Sequence, residues 1–377
     1  MSEQKIISAD KDYTGLDQYI INSGCKRIMI VCDESLKFLN IKNYFNSLEE
    51  RRNVTLTRFS NFKPNPLYES VVEGVGLFHQ NHCDMIIAVG GGSAMDVAKC
   101  IKLYSNMDDS QNYLKQKIVP NDIPFLAVPT TAGTGSEATR YAVIYFNGEK
   151  QSVADVSCIP SVVLMDPSVL KTLPEYQKKS TMLDALCHAI ESFWSVNSTE
   201  ESRKYSKTAI QLILKNKDAY LANTENGNAE MLKAANIAGK AINITQTTAG
   251  HAMCYKLTSL YGIAHGHAAA LCVSKLFPFM LLHTHRCIDT RGEEYLKGVF
   301  SDISVAMGCK SVEASAQLFD ALLDNMGLSK PSAAEEDFEI LKKSVNPTRL
   351  KNNPVELSAD DIDFLYHQII CKKENEK

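Results

Sequence analysis

Short, unbroken apolar runs separated by longer amphipathic stretches mark the chain up to Asp166: KRIMIVCD (26–33), NVTLTRF (53–59), DMIIAVGGG (84–92), IPFLAVPTT (123–131) and SVVLMD (161–166). Runs of this length, rich in Val and Ile and without period-two alternation, suit strands covered on both faces. Helical patterns such as YESVVEGVGLFHQ lie between them and supply the crossovers of a parallel sheet. Residues 1–166 are therefore expected to form a Rossmann-like α/β domain. Beyond Asp166 no such run recurs, and three-to-four-residue apolar spacing takes over, as in ILKNKDAYLANTENGNAEMLKAANIAGKAI. Residues 167–377 are expected to be all-helical. The break falls at DPSVLKTLPEY, where Asp166, Pro167 and Pro174 are turn and helix-start residues.

A length of 377 residues favours two cores over one. The balance of 45% hydrophobic and 22% charged residues is that of a globular protein. A net charge of −4 gives no electrostatic footprint for nucleic acid or an anionic membrane, so a small molecule is the expected partner. The 11 cysteines stand singly with no CxxC pair, against both a disulfide framework and a zinc ribbon. With no apolar segment behind a basic start, and no run near the ~18 apolar residues of a spanning helix, a cytoplasmic location is expected.

The chemistry clusters in three places. Gly90, Gly91, Gly92 and Ser93 lie between an expected strand and an expected helix, where close backbone approach and free N–H groups suit a pyrophosphate. Thr130, Thr131, Thr134 and Ser136 follow the next strand, and loops at the carboxyl ends of neighbouring parallel strands face one nucleotide crevice. Asp33, ending KRIMIVCD, suits the adenosine ribose hydroxyls and would repel a 2′-phosphate, or else caps a helix. Further on, Asp184 and His188 share a helical face at i and i+4, and His251 and His265 stand 14 residues apart about a break at Gly262. One carboxylate and three imidazoles suit Fe²⁺, Zn²⁺, Co²⁺, Ni²⁺ or Mn²⁺.

Taken together, GGGSAMDVAK, PTTAGTGSEAT, DALCHAIE and HAMCYKLTSLYGIAHGHA resemble, in order and spacing and over nearly the whole chain, the iron-containing (group III) alcohol dehydrogenases. The resemblance implies an α/β dinucleotide-binding domain followed by a helical domain, a fold shared with dehydroquinate synthases, with a nicotinamide cofactor in the cleft between them. It implies that Asp184, His188, His251 and His265 hold one divalent metal, Fe²⁺ foremost, and that the protein is a homodimer. It assigns Gly91, Gly92 and Ser93 to the pyrophosphate and Thr130, Thr131 and Thr134 to the length of the cofactor. Asn65, Asp96 and Lys150 match further cofactor-side positions, and Asp33 favours NAD(H) over NADP(H). Many members carry a second histidine, four residues after the one matching His251, that helps a proton reach the alkoxide. This chain has Tyr255 there, so Tyr255, His267 or water is expected to fill that role.

Arg140, Lys256 and the RLKNNP cluster of Arg349, Lys351, Asn352 and Asn353 look like the branch that reduces phosphonoacetaldehyde and sulfoacetaldehyde, since such donors suit a tetrahedral anion. Alternatively, RLKNNP caps a helix and pairs with surface carboxylates. The expected activity is reversible, metal-dependent, NAD(P)H-linked reduction of a small anionic aldehyde. A short-chain alcohol dehydrogenase without that selectivity, a sugar-phosphate cyclase and a silent metal- or nucleotide-binding protein are the alternatives.

Overall fold

The computed structural model describes residues 4–345 and 347–372. Two compact units emerge: one runs to Leu173 and takes in Ala222–Asn236, the other comprises Pro174–Leu221 and the chain from Ile237 onward.

The first unit contains, in chain order, β1 (Lys5–Ser8), α1 (Thr14–Ser23), β2 (Arg27–Cys32), α2 (Ile41–Arg52), β3 (Thr55–Phe59), α3 (Tyr68–Gln80), β4 (Met85–Gly90), α4 (Gly92–Tyr104), β5 (Phe125–Pro129), β6 (Tyr141–Phe146), β7 (Glu149–Ala154) and β8 (Val162–Met165). Six strands form one all-parallel sheet in the order β1-β8-β5-β4-β2-β3. All residues of β4, β5 and β8 are buried, as are those of β2 after Arg27, which is why their sequences are apolar without alternation. The five expected strands are all present. Edge strand β1 lay outside the expectation because only Ile7 of KIIS is buried, so no apolar run marks it.

Strands β6 and β7 form a separate antiparallel hairpin around Asn147 (φ 51°) and Gly148 (φ 78°), an Asn-Gly pair in the left-handed region that two-residue hairpins require. Helix α4 is tied to this hairpin by Lys99 and Asp96. Lys99, fully buried, donates to Ser136 Oγ, Thr139 Oγ1 and the Tyr141 carbonyl. Asp96 accepts from Ser136 Oγ and from the Val143 N–H.

The second unit is helical: α5 (Glu175–Trp194), α6 (Glu200–Leu221), α7 (Glu225–Thr245, beginning in the first unit), α8 (Ala249–Tyr261), α9 (His265–Leu282), α10 (Glu293–Ala306), α11 (Val312–Asn325), α12 (Glu335–Ser344), α13 (Pro347–Leu350) and α14 (Ala359–Ile369). Its β content among the described residues is a two-residue ladder, Ser332–Ala333 with Cys371–Lys372, and an isolated bridge between Cys287 and Val355. Helix α9 is apolar nearly all round because α5, α8, α11 and α14 pack against it. It alone among the described residues has the length and hydropathy of a membrane span, and 72% of it is buried inside the protein. Trp194, at the end of α5, closes this core against Phe277 (5.4 Å) and Phe300 (6.4 Å between ring centroids).

Candidate functional site

Helix α5 carries Asp184 and His188 one turn apart, both buried among small and apolar neighbours. Two glycines let the partner helices reach them. A Cβ on Gly266 would lie 2.1 Å from the Ser180 carbonyl oxygen and 2.6 Å from Asp184 Cβ, so the start of α9 touches α5 backbone to backbone and delivers His265. A Cβ on Gly250 would meet the Glu191 carboxylate at 3.1 Å, beside His251. Between them Gly262 (φ 66°) ends α8 and reverses the chain.

Three imidazoles thereby converge on one carboxylate oxygen. The Nε2 atoms of His251, His265 and His188 lie 3.4, 3.8 and 4.0 Å from Asp184 Oδ1. The rings of His188 and His251 are stacked at 4.5 Å. Neither Asp184 Oδ1 nor His251 Nε2, both buried, has a hydrogen-bond partner. Buried polar atoms without partners are expensive, and here they are a hard oxygen and an imidazole nitrogen facing one point, which is the donor set for a divalent transition ion. The residues therefore fit such an ion. Burial works to raise the Asp184 carboxyl, but His188, His265 and His251 outweigh it and hold it well below the usual range. Burial opposes a charge on His251, yet Glu191 and Asp184 prevail and lift it to about 9. The side chain of His265 is 37% exposed while Asp184, His188 and His251 are at most 7%, so the cluster opens to its surroundings on the His265 side.

Glu191 was not among the expected site residues, although DALCHAIE spaces it seven after Asp184 on the same face of α5. It is fully buried and accepts from His251 Nδ1, from Thr248 Oγ1 (2.7 Å) and from the N–H groups of Thr248 (3.0 Å) and His251 (3.2 Å).

Tyr255 lies one turn after His251 on α8, with its ring stacked on His265 at 5.5 Å. Burial pushes its phenol far above the ordinary range, with Arg349 pulling the other way, so Tyr255 is a neutral hydrogen-bond donor and Arg349 lies within electrostatic reach of it. His267, two residues after His265, is buried. Its Nδ1 meets Tyr176 Oη at 3.1 Å and its backbone N–H donates to Ser180 Oγ, one turn before Asp184 on α5. Burial lowers its pKa.

Arg349, in the short α13, donates to Thr247 Oγ1 (3.4 Å) and Gln246 Oε1 (3.5 Å) rather than to a carboxylate. Asn352 bonds Asn197, Gln246 and the Thr247 carbonyl and so ties its loop to the segments after α5 and α7, whereas Asn353, fully buried, donates to the Val355 carbonyl within its own loop. Lys351 is exposed and Lys256 half-buried. Arg140 belongs to the first unit, where its guanidinium lies over Tyr141 at 5.8 Å.

The nucleotide-type loops of the first unit come together as the sequence suggested. Gly90 and Pro129 are register partners at the ends of β4 and β5. A Cβ on Gly91 or Gly92 would meet Cγ2 of Thr131 at 3.3 Å or of Thr134 at 3.2 Å, so the two loops touch. Gly91 caps α4, leaving the first N–H groups of α4, those of Gly92 and Ser93 among them, at a helix N-terminus. The chain runs from β2 outward to β3 and returns to β4 on the other side, which makes the β2/β4 boundary the topological switch point where open α/β sheets bind ligands. Asp33 stands there: Oδ1 caps a 3₁₀ turn through the Ser35 N–H, while Oδ2 lies 3.5 Å from where a Gly90 Cβ would be. Thr130 is buried, its N–H on the Gly90 carbonyl. Asn65 is exposed in a left-handed conformation (φ 60°). Asp96 lies beneath the loops: burial lifts its carboxyl to about 6 against Lys99, the Val143 N–H, Ser136 and Lys150. A cavity of about 800 Å³ in the same unit, lined by residues such as Asp10, Asn43, Arg51 and Lys171, shares no residue with these loops.

Family profiles described as iron-containing alcohol dehydrogenase and as the C-terminal part of the Fe-containing alcohol dehydrogenase family match residues 3–167 and 178–370. The aldehyde-alcohol dehydrogenase of Streptococcus pneumoniae is 30% identical over 68% of this chain, which spans 31% of that protein's length. A phosphonoacetaldehyde reductase of Streptomyces viridochromogenes is 29% identical over 75% of each chain. The crystal structure of sulfoacetaldehyde reductase from Bifidobacterium kashiwanohense in complex with NAD⁺ superimposes with a TM-score of 0.83 at 27% identity, covering 97% of this chain and 96% of that one.

The α5–α9 contact predicts the outcome of Gly266→Ala. Its Cβ would collide with the backbone of Ser180, which no rotamer change relieves, so stability should fall by about 1–3 kcal/mol or more in urea unfolding. An unchanged midpoint would mean that the helices do not meet this closely.

Proposed function

The chain belongs to the iron-containing alcohol dehydrogenase family, and on that premise we propose that it is a metal-dependent, NADH-linked reductase of a small anionic aldehyde, working reversibly on the alcohol. The observation that carries this reading is the convergence of three imidazole Nε2 atoms on the buried Asp184 oxygen, with Tyr255 stacked on the most exposed of the three rings. When bound, a divalent ion held by Asp184, His188, His251 and His265, Fe²⁺ foremost, supplies Lewis acidity toward the substrate oxygen, and the nicotinamide supplies the hydride.

The chain's own groups do the rest. The helix start at Gly91, Gly92 and Ser93, with the hydroxyls of Thr131 and Thr134, holds a pyrophosphate, and Asp33 accepts from the adenosine ribose. Tyr255 keeps its proton on Oη and donates toward the oxygen that gains charge, the part a histidine plays in many relatives. Arg349, within electrostatic reach of Tyr255, draws the anionic end of the substrate and orients the aldehyde. Phosphonoacetaldehyde and sulfoacetaldehyde are the substrates proposed, supported by the two reductases among the similar proteins. A neutral short-chain aldehyde is the second reading, favoured by Asn352 and Asn353, whose amides already bond other groups of the protein. Free thiols at all 11 cysteines support a reducing, cytoplasmic setting, and the homodimer rests on the family resemblance.

Replacing His188 or His265 with alanine should abolish both metal retention and turnover while leaving NADH affinity nearly intact, as read by metal analysis and fluorescence titration. Full metal content and activity in His265→Ala would disprove the ligand assignment. Asp33→Gly should shift the kcat/KM ratio toward NADPH, and an unchanged ratio would place this carboxylate away from the ribose. Arg349→Ala should lower kcat/KM about ten- to a hundredfold on phosphonoacetaldehyde or sulfoacetaldehyde and leave propanal almost untouched, the loss of one charge-assisted contact. Equal activity of the unmutated enzyme on propanal would favour the neutral-aldehyde reading.

A further inference from the structure

The Glu191 carboxylate divides its work between its two oxygens. Oε1 accepts from Thr248 N–H, Thr248 Oγ1 and His251 N–H, and so takes up free donors at the beginning of α8. Oε2 accepts from His251 Nδ1. The carboxylate cannot readily turn or retreat. Gly250 leaves it just enough room, and Thr248 Oγ1, which donates to it, is itself held by Trp194 Nε1 at 2.9 Å.

An imidazole whose Nδ1–H is fixed on a carboxylate presents its other nitrogen as a lone pair, and the negative partner raises the basicity of that lone pair. His251 Nε2 is the nitrogen nearest Asp184 Oδ1, at 3.4 Å. Glu191 and Asp184 together also place two negative charges in a buried cluster whose remaining members are imidazoles, and one divalent cation neutralises two such charges. We infer that Glu191 is the positioning residue of the metal centre: through Oε2 it fixes the tautomer and orientation of His251, and with Asp184 it matches the site's charge to a divalent ion. The inference rests on the metal-centre reading given above.

Glu191→Gln separates the two tasks of this side chain. The amide oxygen still accepts at the start of α8, whereas the amide nitrogen has no lone pair for His251 Nδ1–H and drives the ring to the tautomer that carries hydrogen on Nε2. With the full-length chain stripped by a chelator and Co²⁺ as the probe, affinity should fall 10- to 100-fold and the visible ligand-field bands should shift. Circular dichroism and NADH affinity should stay unchanged. Thr248→Val, which removes one Oε1 contact and the acceptor of Trp194 Nε1 but leaves the Oε2 contact to His251 in place, should lower stability while keeping Co²⁺ affinity within about threefold of the unmutated protein. Should Glu191→Gln fail to fold, Glu191→Asp carries the test, since its shorter reach should also weaken Co²⁺ binding. Binding within about twofold of the unmutated protein, with the same bands, overturns the inference in either variant. Wild-type Co²⁺ binding that His265→Ala does not alter would overturn the metal reading and this inference together. Binding that His265→Ala abolishes but Glu191→Gln leaves intact would overturn this inference alone.

Discussion

Burying the Asp184 carboxylate is unfavourable for a bare chain, because an ionised group taken out of water loses several kcal/mol of solvation that neighbouring charges must restore. Much of the second unit can be understood as the answer to that demand. Helices α5, α8 and α9 approach closely enough for three imidazoles to surround one oxygen, and glycine stands at both contacts that allow it, positions 250 and 266. The turn at Gly262 brings His265, at the start of α9, back against His251. Behind the cluster, Glu191, Thr248 and Trp194 form a chain of hydrogen bonds that ends in the aromatic core with Phe277 and Phe300. Polar chemistry at the centre is thus braced by apolar packing at the rim.

The first unit meets a different constraint. A parallel sheet covered on both faces leaves its strand ends as the place where backbone donors are free, and the reversal of chain direction between β2 and β4 opens a crevice there. The loops after β4 and β5 touch through Gly91, Gly92, Thr131 and Thr134, and their base is secured by the buried Lys99 and by Asp96. Lys99 donates to three oxygens, and Asp96 accepts from the loop and from the hairpin. Each residue makes burial of the other tolerable.

Tyr255 stands one turn after His251, where the resemblance implied a histidine in many members. A neutral phenol stacked on His265 donates a hydrogen bond but does not exchange its proton near neutral pH, unlike an imidazole. The nearby guanidinium of Arg349 partly offsets the effect of burial on that phenol. His267, the other candidate for a proton path, is instead engaged with Tyr176, whose hydroxyl also accepts from the Ala264 N–H and so steadies the turn ahead of α9.

Patterns that repeat along the chain were legible in the sequence. Unbroken apolar runs announced β2, β3, β4, β5 and β8, and three-to-four spacing announced the helices, because burial on two faces or on one stripe leaves a local periodicity. That the glycine and threonine loops meet, and that Asp184, His188, His251 and His265 converge, was equally legible, since close backbone approach and clustered imidazoles each restrict residue type. Features without local periodicity or rare residue types stayed hidden. Edge strand β1 buries one residue, Lys99 and Glu191 look like ordinary charges on helices, and the amides of Asn352 and Asn353 reveal their backbone partners, Thr247 and Val355, only once folded. Which charges are buried, and which partners they meet, depends on contacts between segments tens of residues apart; only the tertiary structure decides those, because desolvation and hydrogen bonding act through space rather than along the chain.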